Sequence, residues 1–101
     1  MSEAERLNRA LRDAILSRDQ TRQEMIRLVR AAVGNAQQER GHTLSVAEVH
    51  ELIARQISLR RETLAMFGPG QPFELRRRWQ EEWATLESLL PGQTAGVEGT
   101  S

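Results

Sequence analysis

Apolar residues recur at intervals of three and four in four successive stretches of this 101-residue chain. That spacing places them on one face of an α-helix, and no stretch shows the alternation that is typical of a half-buried strand. The predicted helices cover about residues 3–17, 19–40, 45–67 and 72–90. Because the gap between the first two is very short, they should form an antiparallel hairpin. The sequence therefore predicts an all-α fold of two antiparallel helical hairpins, four helices in all, around one core.

The boundaries of these helices are marked by residues with capping chemistry. Ser2 with Glu5, and Ser45 with Glu48, have the spacing of capping boxes, in which each side chain accepts a hydrogen bond from the other residue's backbone N–H. The segment Gly68-Pro69-Gly70 ends the third helix. We therefore predict one helical domain over residues 1–91, followed by a flexible C-terminal tail over residues 92–101, which are rich in Gly, Thr and Ser.

The core must be mainly aliphatic, because the chain contains two Phe, two Trp and no Tyr. Both tryptophans follow the helical spacing of the fourth predicted helix, together with Leu86. We expect Trp79 and Trp83 to be substantially buried against the third helix.

Composition excludes several classes of function. The chain has no Cys, which removes disulfides, thiolate metal sites and cysteine nucleophiles. Its formal net charge is zero, so the total charge predicts no strong nonspecific attraction to nucleic acid. The N-terminus lacks the apolar run of a signal peptide, and no apolar stretch approaches the roughly 20 residues that cross a bilayer. We expect a cytoplasmic protein that does not associate with membranes.

No catalytic or metal-binding motif stands out. The two histidines, His42 and His50, lie eight residues apart and have no ligand partner at helical spacing, so we interpret both as surface residues. No Ser or Thr belongs to a nucleophile signature, and no glycine-rich phosphate loop is present. The residues therefore predict no catalytic site, no metal and no cofactor.

A polar interruption breaks the apolar stripe of the third helix, where Gln56, Arg60 and Arg61 stand at positions that otherwise favour Leu or Ile. One interpretation is a partly buried ion pair with Glu82 or Glu87 of the fourth helix, because a buried arginine usually requires a carboxylate. The other interpretation is a groove between helices that binds an anion or a partner.

Three arginines of the second helix, Arg22, Arg27 and Arg30, form a second candidate site. A helix face of this kind is usually only a solvated surface. The functional interpretation is a contact surface for an RNA phosphate backbone or another anion.

Several segments together resemble the YqeY-like proteins. The second helix contains the run Ile26 to Asn35, the third has Leu44-Ser45 with Glu48-Val49 and then Arg60-Arg61-Glu62-Thr63, and the chain after Glu82 and Leu86 reads Leu89-Leu90-Pro91-Gly92-Gln93. Order and spacing are similar to that family from about residue 3 to residue 93.

This resemblance implies a link to tRNA-dependent amidation, a carbon–nitrogen ligase activity with glutamine as the amide donor. The family is similar in part to the tail of the B subunit of the glutamine-dependent Asp/Glu-tRNA amidotransferase, which helps to hold tRNA. The resemblance implies no active site in the YqeY-like protein itself. It also implies a second small helical domain after the Leu-Pro-x-Gln ending, and we expect that domain to be absent from this chain.

Two functional hypotheses follow. The first is a non-enzymatic accessory protein whose partners are tRNA or an amidotransferase subunit. The alternative is a helical protein-interaction module with no RNA role, which the zero net charge and the expected absence of the second domain favour. An independent enzyme is disfavoured by the lack of catalytic motifs.

Overall fold

The computed structural model describes residues 2–91 and contains four α-helices. Helix α1 spans Glu3–Leu16, α2 spans Gln20–Arg40, α3 spans Val46–Phe67 and α4 spans Phe73–Ser88, with a 3-10 turn at Gly68–Gly70 between the last two. Within residues 2–91 there is no strand, and none of the helices is long and apolar enough to cross a membrane. The predicted all-α class is confirmed. The predicted tail over residues 92–101 lies outside the described residues.

Both predicted capping boxes are present. At the start of α1 the Glu5 N–H donates to Ser2 Oγ over 3.1 Å, and the Ser2 N–H donates to Glu5 Oε1 over 2.9 Å. At the start of α3 the same pair of bonds joins Ser45 and Glu48 at 3.1 and 2.8 Å. Each box satisfies backbone donors that the first turn of a helix leaves without an intrahelical acceptor.

The turn between α1 and α2 is built around Arg18, which adopts a left-handed conformation with φ of 60°. The Asp19 N–H donates to the Ala14 carbonyl and the Arg18 N–H donates to the Ile15 carbonyl. These two bonds form a Schellman motif, which ends a helix and usually has glycine at the left-handed position. The motif reverses the chain within three residues, and Asp19 then caps α2 by accepting the Arg22 N–H.

The chain divides into two compact units, Met1–Leu52 and Ile53–Ser101, so that the boundary falls inside α3. In the first unit α1 packs along α2. The buried apolar side chains of this unit are Leu7, Ala14, Met25, Ile26, Val29, Ala36, Leu44 and Val49.

In the second unit the later part of α3 is followed by α4. Its buried apolar side chains are Ile53, Ile57, Leu86 and Leu89, and Leu86 is completely buried. Trp79 and Trp83, which we expected to be substantially buried, are each half-buried. The centre of this unit is therefore aliphatic, and the two indole rings lie at its edge.

Glu48 connects the start of α3 to the end of α2. Besides its capping bond from Ser45, its carboxylate lies 3.0 Å from Arg40 Nη1 and 3.3 Å from His42 Nε2. The Ser45 N–H, then His42 and Arg40, stabilise the charged form and lower the pKa of Glu48 from 4.5 to about 2.

We expect acid to destabilise the fold through Glu48. Because its folded-state pKa of about 2 lies below the ordinary 4.5, its stabilising contribution is complete above pH 4.5 and is lost as the pH falls toward 2. Glu48→Gln keeps an oxygen acceptor for Ser45 but removes the charge. In thermal melts this variant should be less stable than the wild type at neutral pH, and the two should converge near pH 2. Glu51→Gln, at an exposed position of the same helix, is the control. A constant difference between wild type and Glu48→Gln at every pH would contradict this role.

Candidate functional site

Helices α1 and α2 of the first unit are aligned antiparallel, and two observations define their register. Gln23 Nε2 of α2 donates to the Ala14 carbonyl of α1 over 3.3 Å. Farther along, Asn8 of α1 and Arg30 of α2 line one surface depression of about 210 Å³. Between these two points, Arg12 of α1 lies level with the part of α2 that precedes Arg27. The outer surfaces of the two helices therefore present arginines side by side.

A second depression continues this surface across α1. It has a volume of about 330 Å³ and is lined by Glu5, Asn8, Arg9 and Arg12. Because Asn8 belongs to both depressions, they are neighbours on one side of the hairpin. Arg27 lies one turn from Arg30 on α2, about 60° away around the helix axis. We call the set Arg9, Arg12, Arg27 and Arg30 the arginine face.

All four side chains of the arginine face are exposed, and none forms an ion pair or hydrogen bond with another residue in the described part of the chain. Two other arginines of this unit form ion pairs. Arg6 pairs with Glu3 at 2.8 Å, and Arg40 pairs with Glu48. Glu5 lines the depression beside Arg9 and Arg12, and it accepts the Ser2 N–H of the capping box. The arginine face is thus a local excess of positive charge in a chain whose formal charge is zero.

Of the three arginines predicted from α2, the structure places Arg27 and Arg30 together and Arg22 apart. Arg22 lies about 140° from Arg27 around the helix axis. It is half-buried, its backbone N–H donates to Asp19 Oδ1, and it makes further contacts. Arg22 therefore belongs to the first turn of α2 and is not part of the arginine face.

The polar cluster predicted for α3 divides into two parts. Arg60 Nη1 donates to Gln56 Oε1 over 3.2 Å, and Arg60 Nε lies 3.6 Å from Glu82 Oε1, which makes an ion pair too long for a hydrogen bond. The other carboxylate oxygen of Glu82 accepts from Arg78 at 3.4 Å. Glu82 thus serves two arginines, while Glu87 forms no ion pair among residues 2–91.

Arg61, the other arginine of the predicted cluster, forms no ion pair with Glu82 or Glu87 in the described part of the chain. The Arg61 side chain is exposed, because consecutive residues of a helix diverge by about 100°. Its guanidinium carbon lies 5.6 Å from the ring centre of Trp83 in α4, which is cation–π geometry.

The interpretation of His50 as a surface histidine holds only in part, because its side chain is 26% exposed. His50 Nε2 lies 2.8 Å from Glu3 Oε2, and the Glu3 side chain is only 9% exposed. Glu3 also accepts from Arg6, so its buried carboxylate is fully engaged. His42, by contrast, is exposed and lies 3.3 Å from Glu48. In the described part of the chain no group of three His, Cys, Asp or Glu side chains could hold a metal ion.

Comparison with known proteins identifies the family. The family model described as "Yqey-like protein" matches residues 4–98, nearly the whole chain. The chain belongs to the YqeY-like family. No curated protein and no solved structure gives a significant match. For this YqeY-like chain, membership therefore agrees with the resemblance that its sequence segments carry.

Sequence reasoning missed Arg9 and Arg12 of this YqeY-like protein and the Glu3–His50 pair. Arg9 and Arg12 lie on the polar side of α1. The predicted antiparallel hairpin could have indicated that they lie close to Arg27 and Arg30. The pair Glu3–His50 spans 47 residues of sequence, and no local pattern indicates it.

Proposed function

We propose that this YqeY-like protein is a non-enzymatic accessory protein that binds tRNA through the arginine face. The observation that carries the proposal concerns Arg9, Arg12, Arg27 and Arg30, which are exposed, come from two adjacent helices and form no ion pair with any of residues 2–91. The family resemblance connects this role to tRNA-dependent amidation, in which a glutamine-dependent amidotransferase acts as the carbon–nitrogen ligase.

The chemistry of arginine supports a phosphate partner. A guanidinium group stays charged at every physiological pH and can donate two parallel hydrogen bonds to one phosphate. The arginines of this surface come from both helices of one hairpin, so they can contact successive phosphates of a backbone that crosses it. Such contacts position an RNA without reading its bases. The proposed activity is therefore binding to the tRNA backbone, with sequence specificity left to other components.

The experiment is binding of purified tRNA to the full chain in salt from about 50 to 200 mM. Release of counterions makes the logarithm of the association constant fall linearly with the logarithm of salt concentration, with a slope of about −0.7 to −0.9 per phosphate contact. Four contacts predict a slope of about −3 to −4. Absence of binding at the lowest salt would refute the RNA role. The protein-interaction module would then be the better account of this chain.

A further inference from the structure

A groove in the second unit remains outside the proposed RNA role. Four residues of α3 lie at the spacing of one helical face, namely Ser58, Arg61, Glu62 and Ala65. Together with Leu64 of the same helix and Trp83 of α4, they line a space of about 570 Å³. That volume lies within the range of about 300–1,000 Å³ that ligand-binding clefts usually have. The floor contributed by Leu64, Ala65 and Trp83 is largely apolar, while Arg61 and Glu62 supply charge.

Arg61, the cation of this groove, forms no ion pair with a carboxylate of residues 2–91, although Glu62 lines the same space. Glu82, the acidic side chain that α4 directs at α3, is already shared by Arg60 and Arg78. Arg61 forms no ion pair within residues 2–91, and its contact with the Trp83 ring holds the planar guanidinium near the apolar floor. A cation–π contact leaves the five N–H donors of the guanidinium able to bond a carboxylate.

Trp83 supplies a second unsatisfied group. Its indole Nε1 is buried and has no hydrogen-bond partner in the described part of the chain. A buried donor without an acceptor destabilises the state that contains it. Because this nitrogen is enclosed by the protein's own atoms, Trp83 offers an occupant of the groove its apolar ring.

We propose that this groove binds an acidic, apolar peptide segment of a partner protein. A carboxylate of the segment pairs with Arg61, and an adjacent apolar side chain packs on Trp83, Leu64 and Ala65. Glu62, which also lines the groove, opposes a polyanionic RNA backbone more strongly than a single carboxylate, because the repulsion grows with the number of negative charges. The protein would thus hold a protein partner with α3 and α4, on residues that do not belong to the arginine face.

The test selects peptides from a phage-displayed library of random twelve-residue sequences against the full chain. The enriched sequences should contain Asp or Glu beside Leu, Phe or Trp. A fluorescently labelled synthetic peptide of that class should then bind in an anisotropy titration. Arg61→Gln should weaken binding by about tenfold or more, because it removes a charge-assisted bond to the carboxylate. Changing the peptide's acidic residue to its amide should cause a similar loss.

Arg55→Gln is the matched control, since Arg55 is an exposed arginine of the same helix that does not line the groove. It should change peptide affinity by less than about twofold, in line with a rim charge that makes no contact. Enrichment of no sequence, enrichment of sequences without an acidic residue, or equal losses in the two variants would overturn the proposal. Binding of a single-stranded RNA oligonucleotide that Arg61→Gln abolishes would also overturn it. Arg61 lies outside the arginine face, so tRNA binding can fail or succeed independently.

Discussion

Replacing the whole arginine face with glutamine is expected to weaken tRNA binding by about 100-fold or more at 50 mM salt. A hydrogen bond to a charged group contributes about 1.5–3 kcal/mol, and two lost contacts already reach that factor. Filter binding or anisotropy with labelled tRNA gives the measurement. The four side chains are exposed and have no partners among residues 2–91, so the thermal midpoint of the variant should stay close to that of the wild type.

A control with the same change in charge separates this surface from a general loss of positive charge. Arg18, Arg55, Arg61 and Arg77 are four exposed arginines outside the arginine face. Changing these four to glutamine should weaken tRNA binding by less than about tenfold, an effect of long-range charge that salt screens. Equal losses for the two quadruple variants would show that net charge decides the affinity. The arginine face would then have no special role.

The second large predicted effect is a loss of folding stability. Leu86→Ala is expected to lower the free energy of unfolding by about 2–5 kcal/mol, because the change removes a completely buried side chain and leaves a cavity. Urea denaturation followed by circular dichroism measures this loss. Such a loss is a large part of the roughly 5–15 kcal/mol that stabilises a typical domain.

Phe73→Ala is the control for this prediction. Phe73 is 66% exposed at the start of α4, so its removal should change the free energy of unfolding by about 0.5 kcal/mol or less. Trp83→Ala should fall between the two, since Trp83 is half-buried and its ring also supports Arg61. A smaller loss of stability for Leu86→Ala than for Phe73→Ala would contradict the position of Leu86 in the core of the second unit.

The helices of this protein could be predicted because their signals are local. The capping boxes at Ser2 and Ser45 and the break at Gly68 depend on residues within one turn of each other, and the structure has helix boundaries close to those predicted. Arg18 is the exception. A left-handed arginine ends α1 where glycine is the usual signal, so the sequence carried no clear mark of that motif.

The pairing of charged side chains could be predicted only in part. The chain contains equal numbers of arginines and acidic residues, so the sequence allows many pairings. Which arginine is neutralised depends on its angle around a helix and on the neighbouring helix. Adjacent Arg60 and Arg61 illustrate this, because Arg60 reaches Glu82 while Arg61 lies over Trp83. Similarly, Arg6 pairs with a buried acid, whereas Arg9, one turn later, has no pair among the residues that the structure describes.

The family could be predicted because its motifs are spread along the chain, and the family match over residues 4–98 confirms it. The proposed tRNA contact surface could not be read from those motifs. Arg27 and Arg30 were visible in the α2 run, but Arg9 and Arg12 join them only through the antiparallel register of α1 and α2.

The most direct test of the central claim repeats the tRNA salt series with single substitutions. Arg30→Gln removes one proposed phosphate contact at the centre of the arginine face, and Arg55→Gln removes an exposed arginine elsewhere. The account predicts that Arg30→Gln makes the slope of log association constant against log salt concentration less negative by roughly 0.7–0.9, the value for one phosphate contact. Arg55→Gln should leave this slope unchanged. Equal slopes for wild type, Arg30→Gln and Arg55→Gln would contradict the assignment of tRNA to this surface.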